Sequence, residues 1–143
     1  MSNTGKDSEA FFERHIQSLG KEAYLERRID LAHVRGLNPG IKNLRFPPQP
    51  SDYILTLYKV THYVEVKSSV NKTSFPFSQI EPEQRAAAKK VTAAGGSYIF
   101  FLHALITNSW YCVPAKYILD LINEGKGSVK WEDLERFLGD PLW

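Results

Sequence analysis

The sequence predicts a single α/β domain in which helices cover a mixed central sheet. Three observations carry this. Tyr53–Tyr58 and His62–Lys67 are two runs rich in β-branched and aromatic residues with a short turn between them, the pattern of a β-hairpin. Ser97–Ala104 is a continuous apolar run, as expected of a central strand buried on both faces. Segments with helical apolar spacing or helix-start residues stand before, between and after these runs.

The elements follow in order. Asn3–Leu19 reads as the first helix, with Thr4, Asp7 or Ser8 available as a cap and Phe12, Ile16 and Leu19 at core spacing. Lys21–Val34 fits a helix through Leu25, Ile29 and Ala32, continuing into irregular chain, although Ile29, Leu31 and His33 also alternate as a strand would. Residues 36–50 hold two glycines and four prolines and form a loop. After the hairpin, Ser68–Ser78 reads as a polar loop. Pro82 opens a helix that stops at Gly95-Gly96. Gln84, Arg85, Lys89 and the alanines give that helix one face close to the sheet and one basic face. Ser109–Val113 is a further strand, Pro114 begins a helix through Asn123, and Lys130–Leu138 is a last short helix.

The 143 residues make one domain, 1–143, and 43% hydrophobic content is enough for a core. No apolar run approaches the roughly 18 residues that span a membrane. The polar Met1–Asp7 stretch resembles no secretory leader, and a single cysteine, Cys112, leaves no disulfide framework or cysteine-based zinc site. A cytoplasmic protein with no membrane partner is expected. Net charge is only +2, but Arg35, Lys42 and Arg45 stand in an acid-free stretch, while acids outnumber bases from Asp120 onward. That asymmetry suits a nucleic-acid face on one side.

The chemistry concentrates on Asp52 and on Glu65-Val66-Lys67, thirteen residues further on. Side chains two apart on a strand share a face, so Glu65 and Lys67 point together and Val66 turns into the packing. A hairpin brings Asp52, at the start of the neighbouring strand, toward Glu65. Two carboxylates and a lysine on a sheet edge suit phosphodiester hydrolysis. The carboxylates hold a hard divalent cation, which lowers the pKa of a bound water, and the lysine orients that water or meets developing negative charge. An acid two before a lysine is common by chance, and Glu124-Gly125-Lys126 is another. The proline-acid pair upstream and the strand beneath the triplet distinguish the first. Either Glu9 or Glu13, four apart on the first helix, is placed to turn toward the hairpin. Ser68, Lys72, Thr73 and Ser74, beside such a site, are suited to gripping phosphates, as are Arg85 and Lys89 on the helix and Arg35, Lys42 and Arg45 in the loop. His15, His33, His62 and His103 form no ligand spacing; His103, in a buried strand, is read as a satisfied core histidine.

Ser51-Asp52-Tyr53, Glu65-Val66-Lys67, the Asn71–Phe77 run and Gln84 together resemble the RecU-type Holliday junction resolvases, in the PD-(D/E)xK, restriction-endonuclease-like nuclease superfamily. The likeness covers about Asp52–Leu119, with a weaker echo from Asn3 through Lys6 to Glu9 that is also similar to the first helix of archaeal junction resolvases. It implies a restriction-endonuclease-like core. It implies Asp52 and Glu65 as metal ligands, Lys67 as the catalytic lysine, Glu9 as the carboxylate completing the metal site, Gln84 as the family glutamine behind it, and Lys6 near DNA. It also implies an Mg²⁺-dependent (or Mn²⁺-supported) homodimer that cuts two strands of a four-way junction. One departure is clear: the family's long stalk before the catalytic aspartate has no counterpart in the short 36–50 loop, and its basic N-terminal tail is missing.

The expected function is therefore a structure-selective DNA endonuclease. The alternatives are a nuclease of the same superfamily acting on duplex or flap DNA, and a catalytically silent DNA-binding module. Phe75, Phe77, Trp131, Phe137 and Trp143 lie in segments that read as peripheral and are candidate anchors for a dimer.

Overall fold

The computed structural model describes residues 4–28, 49 and 51–139. Helix α1 (Thr4–Gln17) leads through a 3₁₀ turn into β1 (Ala23–Arg27). Then come β2 (Tyr53–Leu57), β3 (Val60–Ser69), β4 (Ser74–Pro76), α2 (Pro82–Ala93), β5 (Ser97–Ala104), β6 (Ser109–Pro114), α3 (Ala115–Asn123), β7 (Ser128–Lys130) and a 3₁₀ segment, Trp131–Phe137. Five strands make one sheet in the order β1-β2-β3-β5-β6; β4 and β7 pair separately. Among the described residues only β3 and β5 run parallel, with α2 as their crossover. The sheet is mixed and flanked by helices, as the sequence predicts.

Alternation along the strands builds two cores. Tyr53, Leu55 and Leu57 of β2, Val64 and Val66 of β3, and Ile99 and Phe101 of β5 face α1, where Phe12 and Ile16 meet them. Tyr98, Phe100 and Leu102 of β5, with Tyr111 and Val113 of β6, face Ala88 of α2 and Ile118 of α3. Burial on both faces accounts for the unbroken apolar run of β5. His103 is a satisfied core residue, bonded to Ser8 Oγ at 2.7 Å and Asn108 Oδ1 at 2.8 Å. Helix α2 ends as expected: Gly95 takes φ +87°, and the Gly96 N–H returns to Val91 O at 2.9 Å.

Several expectations are corrected. Lys21–Val34 is not an α-helix where it is described: after the 3₁₀ turn that ends at Glu22, Ala23–Arg27 is a strand antiparallel to β2, because Ala23 and Leu25 pack beside α1 while Tyr24 and Glu26 face outward. Residues beyond Arg28 in that stretch lie outside the described residues. Ser68–Ser78 is not simply a loop; it contains the end of β3, β4 and a 3₁₀ turn. Phe75 and Phe77 are not peripheral, and neither is Trp131: all three are buried inside the domain, since β4 and β7 fold over the α2–α3 side. Phe137 packs against that core, and Trp143 lies outside the described residues. The last helix is 3₁₀ and is preceded by the unforeseen β7.

The β2–β3 hairpin positions the site. Leu57 pairs with Val60, so Tyr58-Lys59 is a two-residue turn, and both residues take positive φ, 47° and 73°. Such a turn matches the twist of the strands it joins. β2 has five residues and β3 ten, and their pairing reaches only Tyr53↔Val64. Beyond it β3 keeps its β5 partner through Ser69↔Ala104. β3 is thus an interior strand of the sheet, not the edge strand expected, but its second half is unpaired on the β2 side among the described residues. Asp52 stands at that fork.

Candidate active site

The hairpin register brings Asp52 and Glu65 together. The Asp52 N–H donates to Glu65 Oε2 at 3.0 Å, and the Val66 N–H, left over where β2 ends, donates to Asp52 Oδ2 at 3.3 Å. Lys67 shares the Glu65 face, with Nζ 3.6 Å from Glu65 Oε1. Helix α2 closes over this group. Its Gln84 donates through Nε2 to Glu65 Oε1 at 2.6 Å, while Gln84 Oε1 accepts the Glu81 N–H at 3.0 Å. The second bond fixes which way the amide points, so Glu65 meets a donor.

Glu65 is 1% exposed. Burial, and then the neighbouring Asp52 charge, push its carboxyl up to about 9, with Lys67 opposing. Tyr98, beneath the same group, is held above the ordinary phenol range by burial and by the Glu65 and Asp52 charges. Lys67 is not an exposed surface lysine: its side chain is 19% exposed. An exposed surface ion pair would contribute little, but here one carboxylate is desolvated and two carboxylates crowd together.

That donor set fits a divalent cation. Asp52 and Glu65 supply hard oxygen donors, and a cation between them would offset the repulsion and desolvation that raise the Glu65 carboxyl. No group of three metal-ligating side chains forms among the described residues. Glu9 is instead engaged by Arg27, whose Nη2 lies 3.3 Å from Glu9 Oε2. Glu13 binds the same guanidinium at 3.2 Å and accepts the Tyr53 hydroxyl at 3.0 Å. Arg27 is the residue sequence reading passed over. Its signal, an arginine alternating with Ala23 and Leu25, was hidden by the helical reading of that stretch.

The polar residues expected around the site separate into groups. The Asn71 side chain accepts the Thr73 and Ser74 N–H groups at 3.1 and 3.2 Å, and Trp131 Nε1 donates to Asn71 O at 2.9 Å. This pins a turn that displays Lys72 and Thr73 to solvent, with Ser74 partly covered and Ser68 half-buried at the end of β3. Lys6 and Lys89 are exposed on α1 and α2. Arg85 differs: it is half-buried and donates to the Phe77 carbonyl, bracing α2 against the preceding turn. Arg35, Lys42 and Arg45 lie outside the described residues.

A solved structure of Hjc from Archaeoglobus fulgidus, a Holliday junction resolvase from an archaeal hyperthermophile, matches with a TM-score of 0.54 at 12% identity, over 93% of this chain and 94% of that one. The resemblance to junction resolvases read from the sequence thus extends to the fold of nearly the whole chain. No protein-family model matches the chain, and no curated protein matches its sequence. Among the described residues no helix is long and apolar enough to cross a membrane.

Proposed function

We propose that this protein is a divalent-metal-dependent DNA endonuclease that resolves four-way junctions by paired cuts as a homodimer. The observation that carries the reading is the convergence of Asp52, Glu65 and Lys67 at the point where β2 ends and frees the edge of β3. The likeness in fold to a Holliday junction resolvase supports the same reading.

Asp52 and Glu65 would hold Mg²⁺ (or Mn²⁺), with Glu9 as the further carboxylate the resemblance implies. When bound, the cation would supply a water of lowered pKa and shield the scissile phosphate. Lys67, held beside Glu65, presents its ammonium where negative charge develops on the phosphate oxygens. Gln84 keeps Glu65 oriented through the α2 N-terminus. The exposed Lys72 and Thr73 turn and the Lys6 and Lys89 side chains would contact the phosphate backbone, which sets register without reading sequence.

The dimer rests on the substrate. A four-way junction is near two-fold symmetric, one chain has one candidate site, and a two-fold dimer is the commonest oligomer. Burial of Phe75, Phe77 and Trp131 removes them as interface anchors.

One assay tests the function. Labelled four-way junction, duplex, flap and single strand are incubated with the protein in Mg²⁺ and in EDTA. Paired, Mg²⁺-dependent cuts in the junction are expected. Cleavage of duplex or flap alone would favour the simpler nuclease, as the missing stalk would allow, and binding without cleavage would favour a silent module. Light scattering at micromolar protein tests the dimer; a mass near 16.3 kDa with and without junction would remove the basis for paired cutting.

A further inference from the structure

Two aliphatic side chains stand in water at one end of the sheet: Val70 is 68% exposed and Ile106 57%. Val70 directly follows β3, three residues past Lys67, and Ile106 lies in the turn after β5. The two loops leave the sheet side by side, because Ser69 pairs with Ala104 and the Leu105 N–H donates to Ser69 O at 3.0 Å. A lone exposed aliphatic residue is ordinary. Here, however, two stand on adjoining loops, and both loops are pinned from the inside.

Ser69 is buried, and its Oγ accepts the Asn71 N–H at 3.1 Å; the Asn71 carbonyl accepts Trp131 Nε1 at 2.9 Å. Val70 is thus carried between two anchored residues. The β5–β6 turn is held by His103, whose Nε2 meets Asn108 Oδ1 at 2.8 Å and whose Nδ1 meets Ser8 Oγ at 2.7 Å. His103 in turn stacks on Trp110, with ring centroids 3.8 Å apart. Loops fixed in this way present their tips with little further entropy to lose on binding.

The charge around the tips selects what they meet. Residues 66–80 and 101–119 contain no acid, while Lys67 and Lys72 flank Val70. The start of α1, joined to this end by Ser8, adds one charge of each sign, Lys6 and Asp7. By contrast, the exposed Tyr24, Tyr58 and Val60 at the hairpin end stand beside exposed Glu22 and Glu26, where a polyanion is opposed. Along an extended strand Val70 lies about 10 Å beyond Lys67, which is about three base steps of DNA.

We infer that Val70 and Ile106 form an apolar wedge that enters DNA between two bases near the cut and unstacks that step. This rests on the reading of Asp52, Glu65 and Lys67 as a nuclease site, and it adds a source of selectivity for branched DNA. Bases at a branch point are already partly unstacked, so a wedge costs less there than in continuous duplex. The lysines hold phosphates; the wedge reads how easily the step opens.

Binding in EDTA tests this without cleavage. The probes are a four-way junction and a duplex, each carrying 2-aminopurine, whose fluorescence rises on unstacking, at successive steps around the branch point or in the matching sequence. The variants are Val70→Ser, Ile106→Ser and the two combined, with Val70→Ile as the conservative change and Val60→Ser as a control at the far end of the sheet. Wild type, Val70→Ile and Val60→Ser should raise the fluorescence of the junction. The combined variant should lose that rise and bind the junction about tenfold more weakly, the lower end of what burying an aliphatic side chain supplies, with duplex affinity and melting transition unchanged. Wild-type binding without a rise in the junction, a rise that survives the combined change, or equal losses on junction and duplex would overturn the wedge. A lowered melting transition in every Val70 and Ile106 variant would overturn it too, because the tips would then serve the fold. So would a change of mass in DNA-free light scattering on the combined change, which would make the tips a contact between copies of this chain. If wild type binds neither probe, the nuclease reading itself fails and the wedge with it.

Discussion

Gln84 joins the N-terminus of α2 to the buried carboxylate of Glu65: its Nε2 donates to Glu65 Oε1 at 2.6 Å, and its Oε1 accepts the Glu81 N–H at 3.0 Å. One side chain thus serves the helix end and the site at once. Gln84→Glu keeps an acceptor for Glu81 but faces Glu65 with a second carboxylate, whereas Gln84→Ala loses both bonds. Gln84→Glu should retain most of the helix contribution and lose more cleavage than Gln84→Ala. Melting temperature and single-turnover rate, measured on both variants and on the wild type, check this; equal rates in the two variants would mean the added carboxylate does not disturb Glu65, and wild-type rates in both would mean the donor to Glu65 is unimportant.

Asp52→Asn and Glu65→Gln each remove a carboxyl group of the proposed cation site and little surface. Both should abolish cleavage while junction binding in EDTA survives. Near-wild-type cleavage by either variant would remove it from the site.

Lys67→Ala should lower the cleavage rate by orders of magnitude. Removing one oriented stabiliser of developing charge costs about 10²–10³ in rate. The protein should still fold, since Lys67 makes its ion pair with Glu65 at 3.6 Å, a long contact. Unfolding at room temperature would reassign Lys67 to structure.

Glu65 links stability to pH. Its folded carboxyl is raised, from 4.5 to about 9, so the folded state holds the proton more tightly than the unfolded chain does. This contribution is fully present below about 4.5 and is lost as pH rises toward about 9. Without divalent cation the melting temperature of the wild type should fall across that window, and Glu65→Gln should flatten the slope. Identical slopes in the two proteins would contradict the buried-acid assignment.

The hairpin turn offers a test of the fold alone. Tyr58 and Lys59 both occupy left-handed backbone, which costs an L-residue with a β-carbon roughly 1–2 kcal/mol. Replacing the pair with Asn-Gly should raise stability by about 1 kcal/mol with no change in cleavage. Denaturant unfolding measures it; a destabilised variant would mean the Tyr58 or Lys59 side chain contributes contacts that outweigh the strain.

What the sequence by itself determined was whatever depends on local periodicity and on the chemistry of near neighbours. The alternation around Glu65-Val66-Lys67 set which two side chains share a face, and the hairpin spacing put Asp52 within reach of them. The apolar run of β5 announced its burial, and Pro82 and Gly95-Gly96 bounded α2. Ala23–Arg27 was illegible because five residues carry too few periods to separate a strand from a helix turn, and its pairing with β2 crosses a long interval. Phe75, Phe77 and Trp131 looked peripheral because polar neighbours surround them in sequence; only the β4–β7 pairing, 50 or more residues apart in the chain, closes the core over them. The open edge of β3 was decided by the tertiary structure, because it depends on β2 ending before β3 does. So was the difference between the two carboxylates on α1. Glu9 and Glu13 have the same residue type and share one helix face, and they become different only when Tyr53 and Arg27, from two other strands, arrive beside them.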